Sequence, residues 1–153
     1  MKRGFGLIEI VIGSAVLSAA LLSVSSYYQQ AIRVSRSTAT TVQASLLLEE
    51  GVEIARIFRD SGWTNVGSPA NGTIYFLNFN GTKWATSTTN TYIDGTFERT
   101  VRFDDVYRNG SDDIVATPGT LDPNTRKATV SVSFWNLTAT TTRTIETYLT
   151  NIF

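Results

Sequence analysis

The stretch that decides the fold is Lys2-Arg3-Gly4-Phe5-Gly6-Leu7-Ile8-Glu9, which leads into an apolar run from Phe5 to Val24. As an α-helix, this run of about 20 residues is roughly 30 Å long, which matches the hydrocarbon core of a bilayer. Glu9 is the one charged residue within the run. An ionised carboxylate near the centre of a membrane span costs on the order of 2.5 to 3.5 kcal/mol, and less near an end. The run predicts a membrane-spanning helix, and Glu9 requires a specific explanation.

The residues around Glu9 offer it a partner. Lys2 and Arg3 predict that the amino end stays in the cytoplasm. Gly4 lies at the border of the basic and apolar segments, where a peptidase can hold the backbone without a side chain in the way. A cut after Gly4 would give Phe5 a new α-amine. Within one straight helix this amine and Glu9 are poorly placed to pair, whereas on neighbouring subunits offset along their axes they could meet.

These residues resemble a known processing signal. Gly4, Phe5 and the segment Leu7-Ile8-Glu9, followed by an apolar helix, resemble the class III signal of type IV prepilins and of type II secretion pseudopilins. The resemblance implies that a membrane-embedded aspartic prepilin peptidase cleaves after Gly4 and methylates the amine of Phe5. It also implies that Glu9 is the acid that pairs subunits during assembly. Gly6 occupies a place that Thr or Ser fills more often in the family, a departure that leaves the cut intact.

Three alternatives account for parts of this pattern. A secretory signal peptide also has a basic start and an apolar core, and Ser23-Val24-Ser25 could serve as its cut site. The apolar run is longer than the usual 7 to 15 residues of such a core, and it carries an acid. A plain single-pass anchor fits the length and charge but leaves the spacing of Gly4, Phe5 and Glu9 unexplained. In the simplest alternative, Glu9 reaches the lipid headgroups and has no further role.

Composition limits the classes of function. The 153 residues suffice for one modest globular domain and a long helix. A formal net charge of +0 argues against a basic surface for nucleic acid. The absence of Cys and His removes thiol and imidazole catalysis as well as Cys or His zinc sites. We therefore predict no enzyme, no cofactor and no metal site, and the chain lacks the Cys pair of many major pilins.

A single long helix is predicted for the first third of the chain. No proline precedes Pro69 and no cluster of loop residues precedes Asp60, so the helix is expected from Phe5 to about Asp60. Tyr27 and Tyr28 mark the point at which it leaves the membrane, since tyrosine favours the interface. The predicted organisation is a leader peptide (1–4), a membrane or fibre-core helix (5–28), an amphipathic helix (29–62) and a β domain (63–153).

The helix is expected to change character beyond the membrane. Segment 33–43 is rich in Ser and Thr, which are weak helix formers, so we expect its weakest part there. Residues 46–58 restore an amphipathic pattern that should carry the globular domain. The apolar positions of this face are Leu47, Leu48, Gly51, Val52, Ala55 and Phe58. Within the membrane segment, Gly13, Ser14 and Ser18 are either small residues that permit close helix approach or tolerated lipid-facing residues.

The remaining chain has the pattern of an antiparallel sheet. Short runs of alternating hydrophobicity are separated by Asn-Gly, Asp-Gly and Pro-Gly turn pairs. The Asp104-Asp105 pair shifts the alternation and predicts a bulge or a strand end. We expect an α+β, pilin-like fold in which the second half of the helix packs on an antiparallel sheet of about four strands. The predicted strands are Thr73–Phe79, Phe97–Tyr107, Lys127–Trp135 and Thr141–Leu149.

Two further segments extend the resemblance. The run Glu50-Gly51-Val52-Glu53, with Arg56, Arg59-Asp60 and Trp63 after it, is similar to a segment of minor pilins of the pilus-modification type, as is the ending Tyr148-Leu149-Thr150-Asn151. A minor pilin is therefore favoured over a major one. Its implied partners are other pilin subunits through their N-terminal helices, the prepilin peptidase, the inner-membrane assembly platform and, before assembly, lipid.

This resemblance implies a location and leaves alternatives open. The precursor would be a single-pass cytoplasmic membrane protein with its N-terminus inside, and the assembled form would belong to an extracellular fibre. A pseudopilin of a type II secretion system shares every N-terminal feature. A membrane-anchored extracytoplasmic binding module or adhesin is the alternative from another class.

Two groups of side chains are weaker candidates for binding. Oxygen-rich loops can bind Ca²⁺, but the chain has no EF-hand pattern, so solvated loops or capped turns are the favoured interpretation. Five aromatic residues could form a surface for glycans or other surface contacts, although core packing explains aromatics more often. The acids are Asp104, Asp105, Asp112, Asp113 and Asp122, and the aromatics are Trp63, Trp84, Trp135, Tyr75 and Tyr92.

Overall fold

The computed structural model describes residues 6–116, 118–136 and 139–152. The chain divides between Thr40 and Thr41 into two units. Its elements, in chain order, are α1 (Leu7–Asp60), α2 (Thr64–Gly67), β1 (Ile74–Phe79), β2 (Trp84–Ser87), β3 (Phe97–Arg108), β4 (Ile114–Val115), β5 (Thr120–Asn136) and β6 (Ala139–Thr150).

The predicted long helix is present as α1. Residues 33–43, expected to be its weakest part, are helical throughout. Within this segment, the Thr40 hydroxyl donates a hydrogen bond to a carbonyl of its own helix, that of Arg36, at 3.0 Å. Gly62 adopts a φ of 141° just after the end of α1, a conformation that glycine adopts without a steric penalty. This glycine explains why the helix ends close to the predicted position.

The sheet is antiparallel, with the strand order β2-β1-β3-β5-β6 and with β4 paired to β3. All four predicted strands are present, as β1, β3, β5 and β6. The two short strands β2 and β4 were not predicted, because four and two residues are too few to show an alternating pattern. The α+β fold, with a helix packed on an antiparallel sheet, is confirmed.

The predicted irregularity at Asp104-Asp105 is a bulge between β3 and β5. Asp105 lies opposite Arg126, whereas the next residue, Val106, lies opposite Asp122. The strand β3 therefore continues beyond the irregularity, while residues 123–125 of β5 have no partner in β3. A bulge bends the strand locally and increases its twist.

The core of the second unit lies between one face of α1 and the inner face of the sheet. The alternating pattern of β5 predicts that Ala128, Val130, Val132 and Phe134 face inward, and all four are buried. Ile54 of α1 joins the core although it was not predicted to face inward. A Cβ atom added at Gly51 would lie 2.5 Å from Val130 Cγ1, so this glycine allows the helix to approach β5 closely. The buried hydrophobic cluster includes Ala44, Leu48, Val52, Ile54, Ala55, Phe58, Val101, Phe103, Ala128, Val130, Val132 and Phe134.

Candidate assembly surface

The first part of α1 has an uncovered apolar surface. Residues 6–31 are all exposed, and the large apolar side chains between Leu7 and Val24 expose from 55% to 81% of their surface. This stretch is long and apolar enough to cross a membrane. Burying apolar surface gains about 25 cal/mol per Å², so exposure of this size to water is strongly unfavourable. Because the helix is apolar on every side, it requires cover on every side.

The serine hydroxyls of this stretch find acceptors within the helix. Ser14 Oγ donates to the Val11 carbonyl at 2.9 Å, and Ser18 Oγ donates to the Ser14 carbonyl at 2.8 Å. Ser23 Oγ donates to the Ala19 carbonyl at 2.9 Å. A hydroxyl that bonds its own backbone adds little cost to burial in lipid or in a helix bundle. The serines are therefore compatible with both environments.

Glu9 caps the beginning of its own helix. Its Oε2 accepts a hydrogen bond of 3.0 Å from the Gly6 backbone N–H, and the Glu9 N–H donates to the Gly6 carbonyl at 3.0 Å. Since α1 begins at Leu7, Glu9 occupies the third helical position, from which an acid reaches back to the capping residue. Within the described residues Oε1 accepts no hydrogen bond, and a carboxylate can accept from several donors. The cap thus leaves room for a second partner.

The predicted processing site cannot be placed. Gly4 and Phe5 lie outside the described residues, so the cleavage and methylation assigned to them remain predictions.

The predicted small-residue surface does lie on the exposed helix. Apart from the adjacent backbone of its own helix, no atom lies within 4 Å of the position that a Cβ atom would take at Gly13. Packing within the described chain therefore gives no reason for a glycine at this position.

An ion pair between a buried arginine and a half-exposed glutamate joins α1 to β3 in the second unit. The Arg99 side chain is only 3% exposed, and its Nη1 lies 2.5 Å from Glu50 Oε2. The Arg99 guanidinium also lies 5.0 Å from the centroid of the Trp84 ring, which is within range of a cation–π interaction. A buried charge is tolerated when it is paired. Glu50, part of the segment that resembles minor pilins, thus has a clear role in folding.

Four of the five aspartates considered for calcium lie against arginines, whereas Asp113 accepts a hydrogen bond from Asn109. Asp105 pairs with Arg126, whose Nη2 also donates to the Pro69 carbonyl at 3.0 Å. Asp104 Oδ2 lies 2.9 Å from Arg102 Nε. Among the residues that the structure describes, no group of three or more acids is arranged to hold a metal ion. Asp104, Asp105, Asp112 and Asp122 therefore act in local ion pairs.

The ion pair between Arg108 and Asp122 links β3 to β5 beyond the bulge. Arg108 Nε lies 2.7 Å from Asp122 Oδ2. This hydrogen bond is the main cause of a lowered pKa of the Asp122 carboxyl, and the Thr125 hydroxyl lowers the pKa further. The same hydrogen bond raises the pKa of Arg108, assisted by the charge of Asp112. The pair stabilises the ionised form of Asp122.

The five candidate aromatics do not form one surface. Trp63, Tyr75 and Trp84 are partly buried and pack against the core. Tyr92 and Trp135 are exposed by 58% and 61%, and both line one open cleft. The structure therefore divides the set into three packing residues and two residues available to a ligand or partner.

Sequence reasoning missed the buried cation of β3. Phe97, Arg99, Val101 and Phe103 point to the same inner face and are all buried. The signal was available, because an alternating strand with a charge at one inward position requires a partner of opposite charge. Glu50 on the neighbouring helix provides that charge.

Comparison with known proteins adds no relative. A scan against models of protein families gave no match, and neither did searches of curated proteins and of solved structures.

Proposed function

We propose that this chain is a minor pilin, a structural subunit of a type IV pilus or of a pilus-like fibre. The observation that carries the proposal is the helix from Leu7 to Val24, which is apolar and exposed on all sides and holds one acid near its start. A plain membrane anchor needs the apolar length and could use the acid only as a helix cap, through Oε2. A fibre subunit needs both, because its helix passes from lipid to a bundle of identical or related helices.

In this proposal, processing creates the partner of Glu9. Prepilin peptidase cleaves after Gly4 and methylates the new amine of Phe5. The Glu9 carboxylate of one subunit then pairs with the Phe5 amine of its neighbour, which sets the axial register between the two helices. Glu9 Oε2 retains the hydrogen bond from Gly6 while Oε1 accepts from the neighbour.

The proposed activity is assembly rather than catalysis. Before assembly the protein is a single-pass cytoplasmic membrane protein with its N-terminus inside, and afterwards it lies in the extracellular fibre. Extraction from the membrane replaces lipid contacts by helix packing, in which small residues such as Gly13 and Ser14 allow close approach. The assembly platform of the inner membrane would carry out this transfer.

Fractionation of cells tests the proposal. Fibres are sheared from cells that contain the assembly machinery, and the chain is quantified by mass spectrometry in the fibre and membrane fractions. We expect it in the fibre fraction at a small ratio to the main subunit, and in the membrane fraction alone when prepilin peptidase is deleted. Complete retention in the membranes of cells that do assemble fibres would contradict the proposal.

A pseudopilin of a type II secretion system is the second candidate. The features at Gly4, Phe5 and Glu9 favour it equally. Neighbouring genes separate the two functions, because a retraction ATPase accompanies a pilus whereas a secretin with secreted cargo accompanies the secretion system. An anchored binding module or adhesin that never polymerises would remain in the membrane fraction in the experiment above.

A further inference from the structure

Two exposed aromatic rings line an open cleft in the second unit. Trp135 lies near the end of β5, opposite Thr140 of β6. Tyr92 lies in the connection between β2 and β3. The cleft that they share has a volume of about 670 Å³, which is within the range of roughly 300 to 1,000 Å³ found for small-molecule sites.

The connection that carries Tyr92 has a defined turn. Ile93 N–H donates to the Phe97 carbonyl at 2.8 Å, and Phe97 N–H donates back to the Ile93 carbonyl at 3.0 Å. Asp94 and Gly95, between them, adopt positive φ values of 50° and 64°, as expected for the two central residues of a tight hairpin turn. Tyr92 is thus held next to a closed hairpin at the start of β3, on the same cleft as Trp135.

Polar groups also line the cleft. Glu98 and Ser133 lie opposite each other on β3 and β5. Glu98 Oε2 accepts a hydrogen bond from Asn90 Nδ2 at 2.5 Å, which fixes the carboxylate. Within the described residues Oε1 of Glu98 accepts no hydrogen bond. Ser133 Oγ shares a hydrogen bond of 2.9 Å with Thr142 Oγ1. The cleft thus offers one charged hydrogen-bond acceptor, the Glu98 carboxylate, and several hydroxyl groups.

We propose that this cleft binds a neutral sugar residue of a glycan. A pyranose ring has an apolar C–H face, which packs against an aromatic ring, and a rim of hydroxyl groups, which donate to acceptors such as Glu98 Oε1. The cleft's lining residues are Tyr92, Gly95, Thr96, Glu98, Ser133, Phe134, Trp135 and Thr140, and among these described residues there is no Lys or Arg. The carboxylate would repel sialylated, sulfated or phosphorylated sugars, so the site selects for neutral ones.

A second copy of the chain fits this cleft less well than a sugar. The centres of protein interfaces are depleted of charged residues, and burial of an unpaired charge is costly. Glu98 lies in the cleft without an arginine or lysine partner among the described residues, and an apolar partner surface would bury its charge. A sugar hydroxyl instead satisfies the carboxylate with a hydrogen bond.

Binding at this cleft does not depend on the proposed pilin function. All its residues belong to the second unit, so failure of the chain to enter fibres would leave the sugar site standing. Conversely, a chain that enters fibres but binds no sugar would refute the site alone.

The test uses the full chain in detergent micelles. A glycan array identifies the neutral glycans that bind, and tryptophan fluorescence and calorimetry then give their dissociation constants. Trp135→Ala and Tyr92→Ala are each expected to weaken binding by about tenfold, the factor that corresponds to the loss of one aromatic contact. Tyr148→Ala is the matched control, because Tyr148 is exposed on the same sheet but does not line the cleft; it should leave the affinity unchanged.

A charge variant gives a readout that misfolding cannot imitate. Glu98→Gln should weaken binding of a neutral glycan such as lactose and improve the relative binding of its acidic counterpart, 3′-sialyllactose. The proposal is overturned if no neutral glycan binds above the level of Trp135→Ala, if both ring variants bind like the parent chain, or if acidic glycans are preferred. Burial of Trp135 on self-association, without any sugar binding, would assign the cleft to a subunit interface and also overturn the proposal.

Discussion

The helix α1 carries two apolar surfaces that differ in what covers them. Between Ala44 and Phe58, one face of the helix is buried against the sheet, so the chain itself satisfies it. Between Leu7 and Val24, apolar residues are exposed all round. The glycines show the same contrast. A Cβ atom added at Gly51 would collide with Val130, whereas one added at Gly13 would meet nothing beyond the adjacent backbone of its own helix. Because packing within the described chain does not require a glycine at position 13, close packing against another molecule is the remaining structural reason for it.

The largest effect is expected from substitution of Glu9. Glu9→Ala should leave cleavage after Gly4 intact but abolish incorporation into fibres, because in the proposed assembly Glu9 is the partner of the Phe5 amine that sets the register. Glu9→Gln separates two roles, since its amide oxygen can still accept the hydrogen bond from Gly6 but carries no charge. We expect Glu9→Gln to fail in assembly as well, measured by the amount of chain in sheared fibres. Normal incorporation of Glu9→Ala would contradict the pairing.

The next effect concerns the half-buried ion pair of Arg99 with Glu50. Glu50→Ala leaves the Arg99 guanidinium buried and unpaired. Loss of one partner of a buried pair costs about 3 to 5 kcal/mol, and since Glu50 is 46% exposed we expect about 2 to 3 kcal/mol. Thermal and urea unfolding of the full chain in detergent measure it.

Glu49→Ala is the matched control for this ion pair. Glu49 is exposed and has no ion pair among the described residues, so its loss should change stability by no more than about 0.5 kcal/mol. Equal effects of the Glu49 and Glu50 substitutions would show that this ion pair contributes nothing specific.

The same substitution at the two glycines, Gly51→Ala and Gly13→Ala, tests the difference between the two surfaces directly. In Gly51→Ala the new Cβ would overlap Val130, a cost of about 1 to 3 kcal/mol that is partly offset by about 1 kcal/mol of helix propensity. We therefore expect a net loss of about 1 kcal/mol in unfolding. Gly13→Ala should not lower the unfolding stability but should reduce incorporation into fibres. If Gly13→Ala assembles normally, close approach at this glycine is refuted.

The smallest effect is a pH dependence at the far end of β3. The lowered pKa of Asp122, caused first by the hydrogen bond from Arg108, means that the folded state favours the carboxylate. This stabilisation is fully present above the unfolded pKa of about 3.9 and disappears as the pH falls through the lower folded pKa. Asp122→Asn should therefore reduce the loss of unfolding free energy that accompanies a fall in pH through the acid range. Asp113→Asn, which removes an acid with no arginine contact among the described residues, should leave that loss unchanged.

The sequence was most informative where a pattern is long. The four long strands and the bulge after Asp105 followed from alternation and its interruption. The start of β5 at Thr120 instead of Lys127 could not be predicted, because Pro123 normally ends a strand. The proline is tolerated because residues 123–125 lie at the bulge, where β3 offers no partner. Strands as short as β2 and β4 exist through their neighbours rather than through their own pattern.

The sites were predicted unevenly for a similar reason. Glu9 stood out because a charge in an apolar run is costly, and its spacing from Gly6 matches a helix cap that the sequence could have revealed. Prediction of the ion pair between Arg99 and Glu50 would have required the relative position of β3 and α1. The cleft that Tyr92 and Trp135 both line is formed by a turn and a strand far apart in sequence. Neither arrangement is encoded in local spacing.

Mass spectrometry of the mature chain, isolated from cells that contain prepilin peptidase, tests the central claim most directly. If the exposed helix belongs to a fibre subunit, the first residue is Phe5, its amine carries one methyl group, and residues 1–4 are absent. A chain that retains Met1, or one cut near Ser25, would contradict the account.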